Sequence, residues 1–421
     1  MQSVSKKVII YYSLLAIPLS IIGLPLYIYL PTYYVSDVGI SVTSVGIILF
    51  VARLSDVFTD PFFGFLSDKS VKIFKSRKPM MIIGFILLLG SFYALIHPSL
   101  NHPEIWLFTF SILIYIGWSM INIPYLTWSS EISKKYEDKT ALNSSRELFA
   151  ILGVLIALVV PFAYGVSQNP QKTLDILYLA FIVLFIPLFF VSMKKIKINV
   201  EVQNDTFNFK IFKSVYAKIQ DLKFLQLGYF CNNLANALPA TLFLLFIEHV
   251  IKEKESSGMI LIVYFLAGVL ALPFWYKLSN KIGKKKAWIG SIILASSAFV
   301  FVPFLQTGDL TAFIIISIIS GLSLGADMAL PTSMQSDLVQ KTTKFDFNIS
   351  GLLFGIWTMI TKFALAFAVA VSFIILGIFD FNAQNPTTDS LLVLSLFYGL
   401  VPIFLKILSI FFIYKYEDIK L

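Results

Sequence analysis

Three ionisable residues with helical spacing occur in one apolar stretch near the start of the sequence. Arg53, Asp56 and Asp60 lie in VARLSDVFTDPFFG, and spacings of three and four residues place side chains on one face of a helix. Because two carboxylates outnumber one guanidinium, the group carries an excess negative charge that Na⁺ or a proton would balance. An interhelical Arg–Asp clamp without an ion is the alternative, but the excess acid favours a cation site.

Polar side chains in the fourth apolar stretch are candidates for completing this site. Ser119 and Asn122 are three residues apart, so they share a helix face. Their hydroxyl and amide oxygens can coordinate a cation, although such side chains also bond neighbouring helices in membrane proteins. We predict Ser119 and Asn122 as cation ligands beside Asp56 and Asp60.

A lysine occurs in the middle of the eleventh apolar stretch, where an unpaired charge would be costly. Lys362 follows Thr358 by one turn in GIWTMITKFALAFA. Asp56 or Asp60 is the expected partner of its ammonium group. Snorkelling is the weaker alternative, because the apolar stretch extends well past the lysine on both sides. We expect Thr358 and Lys362 to contact substrate, and Arg53 and Lys362 to form a charge network with the aspartates.

Other polar residues inside apolar stretches are candidates for substrate binding. Asp327, in GLSLGADMALP, can bind substrate or pair with a lysine on another helix, and the sequence leaves both interpretations open. Asn232 and Asn233 precede Pro239 in CNNLANALPATLF. Such a cluster suits a sugar-like ligand, and it also suits hydrogen bonds between helices.

An acid and two bases occur at the ends of the second and third apolar stretches. Asp68, four residues after Gly64, precedes Arg77 and Lys78. We predict a gating salt bridge between Asp68 and Arg77 that holds one conformation and parts in the other. A solvated basic loop is the alternative.

The composition excludes a water-soluble enzyme. Of 421 residues, 57% are hydrophobic and 14% are charged, against about 25% charged in ordinary soluble proteins. One cysteine, Cys231, and three histidines exclude a disulfide scaffold and a metal centre built on those residues. The sequence also has no Gly-rich phosphate loop, so we expect no enzyme activity, no cofactor and no bound metal beyond a coupling Na⁺.

Continuous apolar stretches predict an all-α membrane protein with twelve transmembrane helices. Each stretch is close to the roughly 20 residues that a helix needs to cross the bilayer. The stretches lack the alternation of a transmembrane β-barrel. They lie near residues 8–34, 42–66, 80–97, 104–127, 146–166, 173–193, 223–247, 257–277, 287–305, 309–331, 349–379 and 391–414.

The distribution of the 33 Lys and Arg residues predicts the orientation. They concentrate at both termini and in every second loop, while the opposite loops hold Lys172, Lys252 and Lys254 alone. The positive-inside rule then places both termini in the cytoplasm, and we expect a bacterial inner-membrane protein. The net charge of +9 is explained by anionic lipid headgroups rather than nucleic acid. We expect a monomer that contacts membrane lipids and a small-molecule substrate.

The longest polar stretch divides the chain into two halves. We predict an N-terminal six-helix bundle over residues 1–193, a cytoplasmic linker over 194–222 and a C-terminal six-helix bundle over 223–421. This organisation resembles the major facilitator fold, in which substrate binds between the halves. A weak internal echo supports it, because NIPYLTWSSE (122–131) and DMALPTSMQSD (327–337) each contain a polar residue, a proline and a terminal acid.

The motifs together resemble the glycoside–pentoside–hexuronide:cation symporter family. The second stretch carries the most specific resemblance, in RLSDVFTDP (53–61) followed by Gly64 and Asp68. Weaker likenesses extend along the chain, in GLPLYIYLPTYYVSDVG (23–39), INIPY (121–125), GADMALPTSMQSD (325–337) and WTMITK (357–362).

The resemblance implies roles for individual residues. Asp56 and Asp60 would be the coupling-cation ligands, Ser119 would supply a hydroxyl, and Arg146 would reach the substrate cavity. The family's sugar-clamping acid falls at about Ile21, which cannot accept a hydrogen bond. We therefore expect a secondary active transporter that couples Na⁺ or H⁺ to the symport of a small polar solute by alternating access. Sugars and glycosides, other than galactosides, come first as substrates. A proton-coupled exporter and a lysolipid-type carrier of the same fold are the alternatives.

Overall fold

The computed structural model describes residues 4–23, 29–99, 101–166, 169–198, 209–343, 349–379, 381 and 386–417. Every regular element in these ranges is a helix, which confirms the all-α prediction. The α-helices are α1 Lys6–Ser13, α2 Ala16–Ile21, α3 Leu30–Ser36, α4 Val42–Phe74, α5 Lys78–Ile96, α6 Pro103–Ile132, α7 Tyr136–Ala163, α8 Pro170–Lys195, α9 Phe209–Lys218, α10 Gln220–Phe246, α11 Ser257–Ile282, α12 Lys284–Phe299, α13 Leu310–Thr343, α14 Ser350–Ile378 and α15 Thr388–Lys415.

The helices account for the predicted spans. Among the described residues, ten helices are long and apolar enough to cross a membrane. The second predicted span corresponds to α4, whose 33 residues extend about 50 Å at 1.5 Å per residue. The first predicted span corresponds to α1, α2 and α3, with residues 24–28 outside the described part of the chain.

The first span differs from the continuous helix that the sequence predicts. Helix α1 ends at Ser13, and α2 begins at Ala16. Pro18 explains the interruption, because it has no N–H to donate to Leu14 and its ring clashes with that carbonyl. Ile17, the residue before Pro18, instead donates its N–H to the carbonyl oxygen of Leu14, three residues earlier, at 3.3 Å.

Local sequence signals set the helix ends. The side chains of Ser41, Asn169 and Thr387 accept hydrogen bonds from backbone N–H groups in the first turns of α4, α8 and α15, as N-cap residues do. Prolines occupy the first turns of α5, α6 and α8, where their missing N–H costs no helical bond.

The chain forms two compact units, each with its own helices. The first comprises Met1–Ile211 and Val339–Met359, and the second comprises Phe212–Leu338 and Ile360–Leu421. The change at residue 211 falls within the predicted linker, of which residues 199–208 lie outside the described part. The first turns of α14 pack with the first unit. The predicted bundle limits at residues 193 and 223 remain predictions.

Aromatic side chains fill the core of each unit. In the first, Phe85 stacks on Phe189 with ring centroids 4.5 Å apart. In the second, Phe246 stacks on Tyr398 with centroids 4.3 Å apart. Large apolar side chains such as Phe62, which is 56% exposed, occupy outer faces, as expected for helices in lipid.

Candidate functional site

Helices α4 and α6 bring three of the four predicted cation ligands together. Ser119 Oγ lies 2.7 Å from Asp60 Oδ1 and 3.1 Å from Asp56 Oδ1. All three side chains are buried, with Asp60 fully shielded from solvent. The spacing of four residues places the carboxylates on one face of α4, opposite Ser119 on α6.

The oxygen contacts at Ser119 outnumber its hydrogens. A hydroxyl carries one hydrogen, and an ionised carboxylate carries none. Ser119 can donate this hydrogen to one aspartate or share it between both, and the carboxylate oxygens beside it can also bind a proton or a cation. This arrangement can hold H⁺ or Na⁺ in the interior of the first unit.

The helix backbone beside the aspartates is also specialised. Pro61 follows Asp60 inside an uninterrupted α4, and it has no N–H to donate to the carbonyl of Val57. Gly355 of α14 packs closely on this turn, because a Cβ atom there would lie 2.5 Å from the Asp60 carbonyl oxygen. Gly351 makes a similar close approach to the backbone of Gly64. Small residues four apart are typical of tightly packed membrane helices.

The remaining predicted members of the cation site surround this core to different degrees. Arg53 Nε donates to the hydroxyl of Tyr115 on α6 at 3.4 Å, a partner that the sequence analysis missed. Asn122 lies one turn beyond Ser119 on α6 and is half-buried, and its role as a ligand remains a prediction. Lys362 is half-buried on α14 within the second unit, and its predicted pairing with Asp56 or Asp60 remains a prediction.

Two other predicted substrate contacts in the first unit have contrasting surroundings. Thr358 donates its hydroxyl to carbonyls of its own helix, those of Phe354 and Gly355. Arg146 on α7 is buried and bonds to Glu147, but its Nε has no hydrogen-bond acceptor among the described residues. The geometry leaves Arg146 a donor for a ligand oxygen, while Thr358 contributes mainly to helix structure.

Asp327 has the lysine partner that one of the two interpretations required. Its Oδ2 lies 3.7 Å from Lys406 Nζ on α15, and its Oδ1 accepts a hydrogen bond from Trp288 Nε1 at 2.8 Å. Asn236 joins the pair, because it donates to Asp327 and accepts from Lys406. Asn232 also accepts from Lys406, at 3.1 Å. The sequence left a lysine partner and a substrate contact both open, and it did not indicate Lys406.

Asn233, the other asparagine predicted to bind substrate, makes a hydrogen bond within its own helix. Asn233 Nδ2 donates to the carbonyl of Tyr229, one turn earlier in α10. This bond satisfies part of its side chain within the helix. Its predicted contact with substrate remains a prediction.

Asp68 and Arg77 form an ion pair of 2.9 Å at the end of α4. Arg77 also bonds Glu131 at 2.8 Å, an acid that the sequence analysis noted only in the internal echo. Burial lowers the pKa of this guanidinium, but Glu131 and Asp68 raise it above its ordinary value, so Arg77 stays charged. Lys78, by contrast, donates to the carbonyls of Met193 and Ile196.

The second unit repeats part of this arrangement. Lys284, at the start of α12, pairs with Asp337 near the end of α13 at 2.5 Å, and both side chains are fully buried. Asp337 is the terminal acid of DMALPTSMQSD (327–337), and Glu131 is the terminal acid of NIPYLTWSSE (122–131), the two segments of the internal echo. The internal echo in the sequence therefore corresponds to equivalent ion pairs in the two units.

Comparison with protein families gives a match along nearly the whole chain. Residues 11–417 match the model of the family described as MFS/sugar transport protein. A glucuronide carrier protein homolog of Escherichia coli is 20% identical over 87% of this chain and 82% of its own length. A sodium-dependent lysophosphatidylcholine symporter 1-B of Danio rerio is 22% identical over 96% of this chain and 86% of its own length.

Solved structures confirm the predicted major facilitator fold. A bacterial homologue of the iron transporter ferroportin, in an outward-facing state, has a TM-score of 0.75 at 12% identity, with 97% of this chain and 98% of that chain covered. The Escherichia coli fucose:proton symporter has a TM-score of 0.69 at 14% identity, with 96% and 99% covered. At these identities the likeness concerns the fold alone.

Proposed function

Because the chain belongs to the MFS/sugar transport protein family and is a secondary transporter, we propose that it couples solute uptake to a cation held by Asp56 and Asp60. The observation that carries this proposal is the position of Ser119 Oγ, within 3.1 Å of one carboxylate and 2.7 Å of the other. A positive charge shared by the two carboxylates stabilises such a cluster in a buried setting.

The chemistry of the cluster accommodates either coupling ion. Carboxylate and hydroxyl oxygens bind Na⁺, and a proton shared by two nearby carboxylates removes their mutual repulsion. Arg53 lies three residues before Asp56 on α4 and balances one of the two negative charges. With Arg53 as the only base counted, the site reaches neutrality when it binds one monovalent cation.

Coupling follows from linkage between the cation and the solute. If cation binding strengthens solute binding, solute binding strengthens cation binding by the same factor. The fully loaded carrier then exposes its sites to the other side of the membrane by alternating access. Three further statements are part of this proposal. Both termini lie in the cytoplasm, the protein resides in the bacterial inner membrane, and it is a monomer.

The ion pairs at the end of α4 act as the gate in this proposal. Asp68 accepts hydrogen bonds from the N–H groups of Gly351 and Leu352 at 2.8 and 2.9 Å, and Arg77 holds it in place. A carboxylate at a helix amino terminus is favoured by the helix dipole. Opening the carrier on this side requires these bonds to part.

The substrate class has two candidates. The relatives include a glucuronide carrier homolog and a sodium-dependent lysophosphatidylcholine symporter. The sequence motifs favour sugars and glycosides. Arg146, with its buried unpaired Nε, suits an oxygen-rich ligand. The apolar cavity in the second unit, described below, favours an amphiphile.

The cation site can be tested without knowing the substrate. Purified protein should gain thermal stability as Na⁺ replaces a large inert cation, or as pH falls if H⁺ is the coupling ion. Asp56→Asn and Asp60→Asn should each remove that gain and abolish cation-driven uptake in vesicles. Asp175→Asn changes an acid with a 46% exposed side chain and is the matched control. Full cation-dependent accumulation by Asp56→Asn would contradict the proposal.

A further inference from the structure

The second unit contains a cavity of about 280 Å³ between α10, α11, α12, α13 and α15. For comparison, an apolar cavity of about 150 Å³ stays free of water and binds benzene. The larger volume accommodates an aliphatic chain or several rings.

Most of the cavity wall is apolar, and the side chains of Tyr264 and Tyr398 also line it. The apolar side chains that line it include those of Phe243, Phe299, Phe313 and Leu324. Two serines, at positions 317 and 320, also line it, but their hydroxyls donate to carbonyls of their own helix. Because each hydroxyl hydrogen is already bonded to the helix backbone, a ligand would have to compete with a backbone carbonyl for it.

One end of the cavity is polar, and its charges are compensated. Asp327 and Lys406 line this end together with Asn236. The three hydrogens of the Lys406 ammonium group face Asn232, Asn236 and Asp327. Both oxygens of Asp327 are also bonded. The pair is electrically neutral as a whole, and it offers hydrogen-bonding oxygens rather than an unpaired charge.

These features decide which ligands fit. A sugar without an apolar part would bury those of its hydroxyls that lie away from the polar groups against Phe and Leu side chains, which is costly. A ligand with a net charge would add an uncompensated buried charge beside a balanced pair. A ligand with an apolar tail and a polar group of zero net charge meets neither cost.

We propose that this cavity binds the apolar portion of an uncharged or zwitterionic amphiphile, whose polar group lies at the Asp327–Lys406 pair. The inference rests on the proposed transport function and names the class of its substrate. It also narrows that class, because amphiphiles with a net charge are excluded.

Binding can be measured with full-length protein in nanodiscs of fixed lipid composition. The probe is a zwitterionic dodecylphosphocholine with bromine on its chain, which quenches nearby tryptophans; Trp288 donates directly to Asp327. Unlabelled dodecyl maltoside, dodecylphosphocholine, dodecyl sulfate and dodecyltrimethylammonium compete at concentrations below micelle formation. Maltose and phosphocholine test the polar groups alone.

The expected ranking follows from the neutral polar end. The uncharged and zwitterionic dodecyl probes should compete at similar concentrations, and the two charged probes should be at least about tenfold weaker. The polar groups alone should not compete. Equal competition by all four dodecyl probes, or competition by maltose at the same concentration as dodecyl maltoside, would overturn the inference.

Two cavity-filling variants locate the binding. Ala295→Phe places a ring in the cavity and should weaken the probe by at least about tenfold. Ser320→Leu is a smaller change that guards against misfolding of the first variant, and it should weaken the probe severalfold. Ile293→Phe, on the same helix at a position that is 55% exposed, is the control. Unchanged quenching in both cavity variants would place the probe in bulk lipid and end the proposal.

The outcome for the cation site is separable. Loss of the Na⁺ or H⁺ response with the charge ranking intact would refute the proposed coupling and leave the cavity assignment standing. An intact cation response with no selective amphiphile binding would refute the cavity assignment and leave the proposed coupling standing.

Discussion

Asp68 holds Gly351 at the first turn of α14, although 283 positions separate them in the chain. The Asp68 carboxylate accepts the Gly351 N–H at 2.8 Å and the Leu352 N–H at 2.9 Å. One side chain therefore caps a helix and also receives the buried guanidinium of Arg77. The end of α4 and the start of α14 are tied by the charge on this carboxylate.

Removing this charge should weaken the tie. Asp68→Asn keeps one oxygen acceptor but loses the ion pair and the favourable interaction with the α14 dipole, so we expect a loss of about 1–3 kcal/mol in stability. Thermal unfolding of the purified variant and its initial uptake rate are the measurements. Asp37→Asn, in the stretch after α3, is the control. Unfolding temperature and uptake equal to the original protein would show that the cap has no role.

Ser119 should tune cation affinity without being indispensable. Ser119→Ala removes the hydroxyl and leaves both carboxylates, so cation affinity should fall about tenfold, which corresponds to roughly 1.4 kcal/mol. Ser119→Thr keeps a hydroxyl and should restore most of the affinity. Cation titrations followed by thermal stability measure both variants. An alanine variant with unchanged affinity would mean that the hydroxyl only joins α6 to α4.

The buried pair in the second unit should be strongly coupled. Lys406→Met leaves Asp327 charged and buried without its ammonium partner, and we expect a loss of about 3–5 kcal/mol. The double variant Asp327→Leu with Lys406→Met removes both charges and should recover much of that stability. Lys415→Met, at the exposed end of α15, is the matched control. Additive losses in the double variant, measured by thermal unfolding, would contradict the coupling.

Much of the fold could be predicted because it depends on composition over long stretches. Apolar runs of about 20 residues specify spans, and the helical spacing of Asp56 and Asp60 specifies a shared face of α4. The interruption of the first span was missed, although Pro18 was visible in the sequence. Whether a proline interrupts a helix depends on how the chain compensates for the backbone hydrogen bond that the proline removes.

Contacts between distant helices could not be predicted in the same way. Spacing along one helix does not say which helix lies opposite, so Tyr115 was missed beside Arg53. For the same reason, the sequence left open whether Asp327 binds substrate or pairs with a lysine on another helix. Gly355 carries no signal in its own helix, since its role is to lack a side chain where another backbone approaches.

The packing of Gly355 on Asp60 gives the sharpest prediction. A Cβ atom at Gly355 would lie 2.5 Å from the Asp60 carbonyl oxygen, whereas one at Gly377, in the same helix, would meet no atom within 4 Å. Gly355→Ala should force α14 away from α4, lower the unfolding temperature and weaken the cation response of the nearby carboxylates. Gly377→Ala should instead leave the cation response intact and raise stability by about 0.5–1 kcal/mol, because alanine favours helix interiors. Thermal unfolding with and without the cation distinguishes the two variants. If Gly355→Ala were to match Gly377→Ala in both measurements, the backbone contact could not be what holds the cation site in shape.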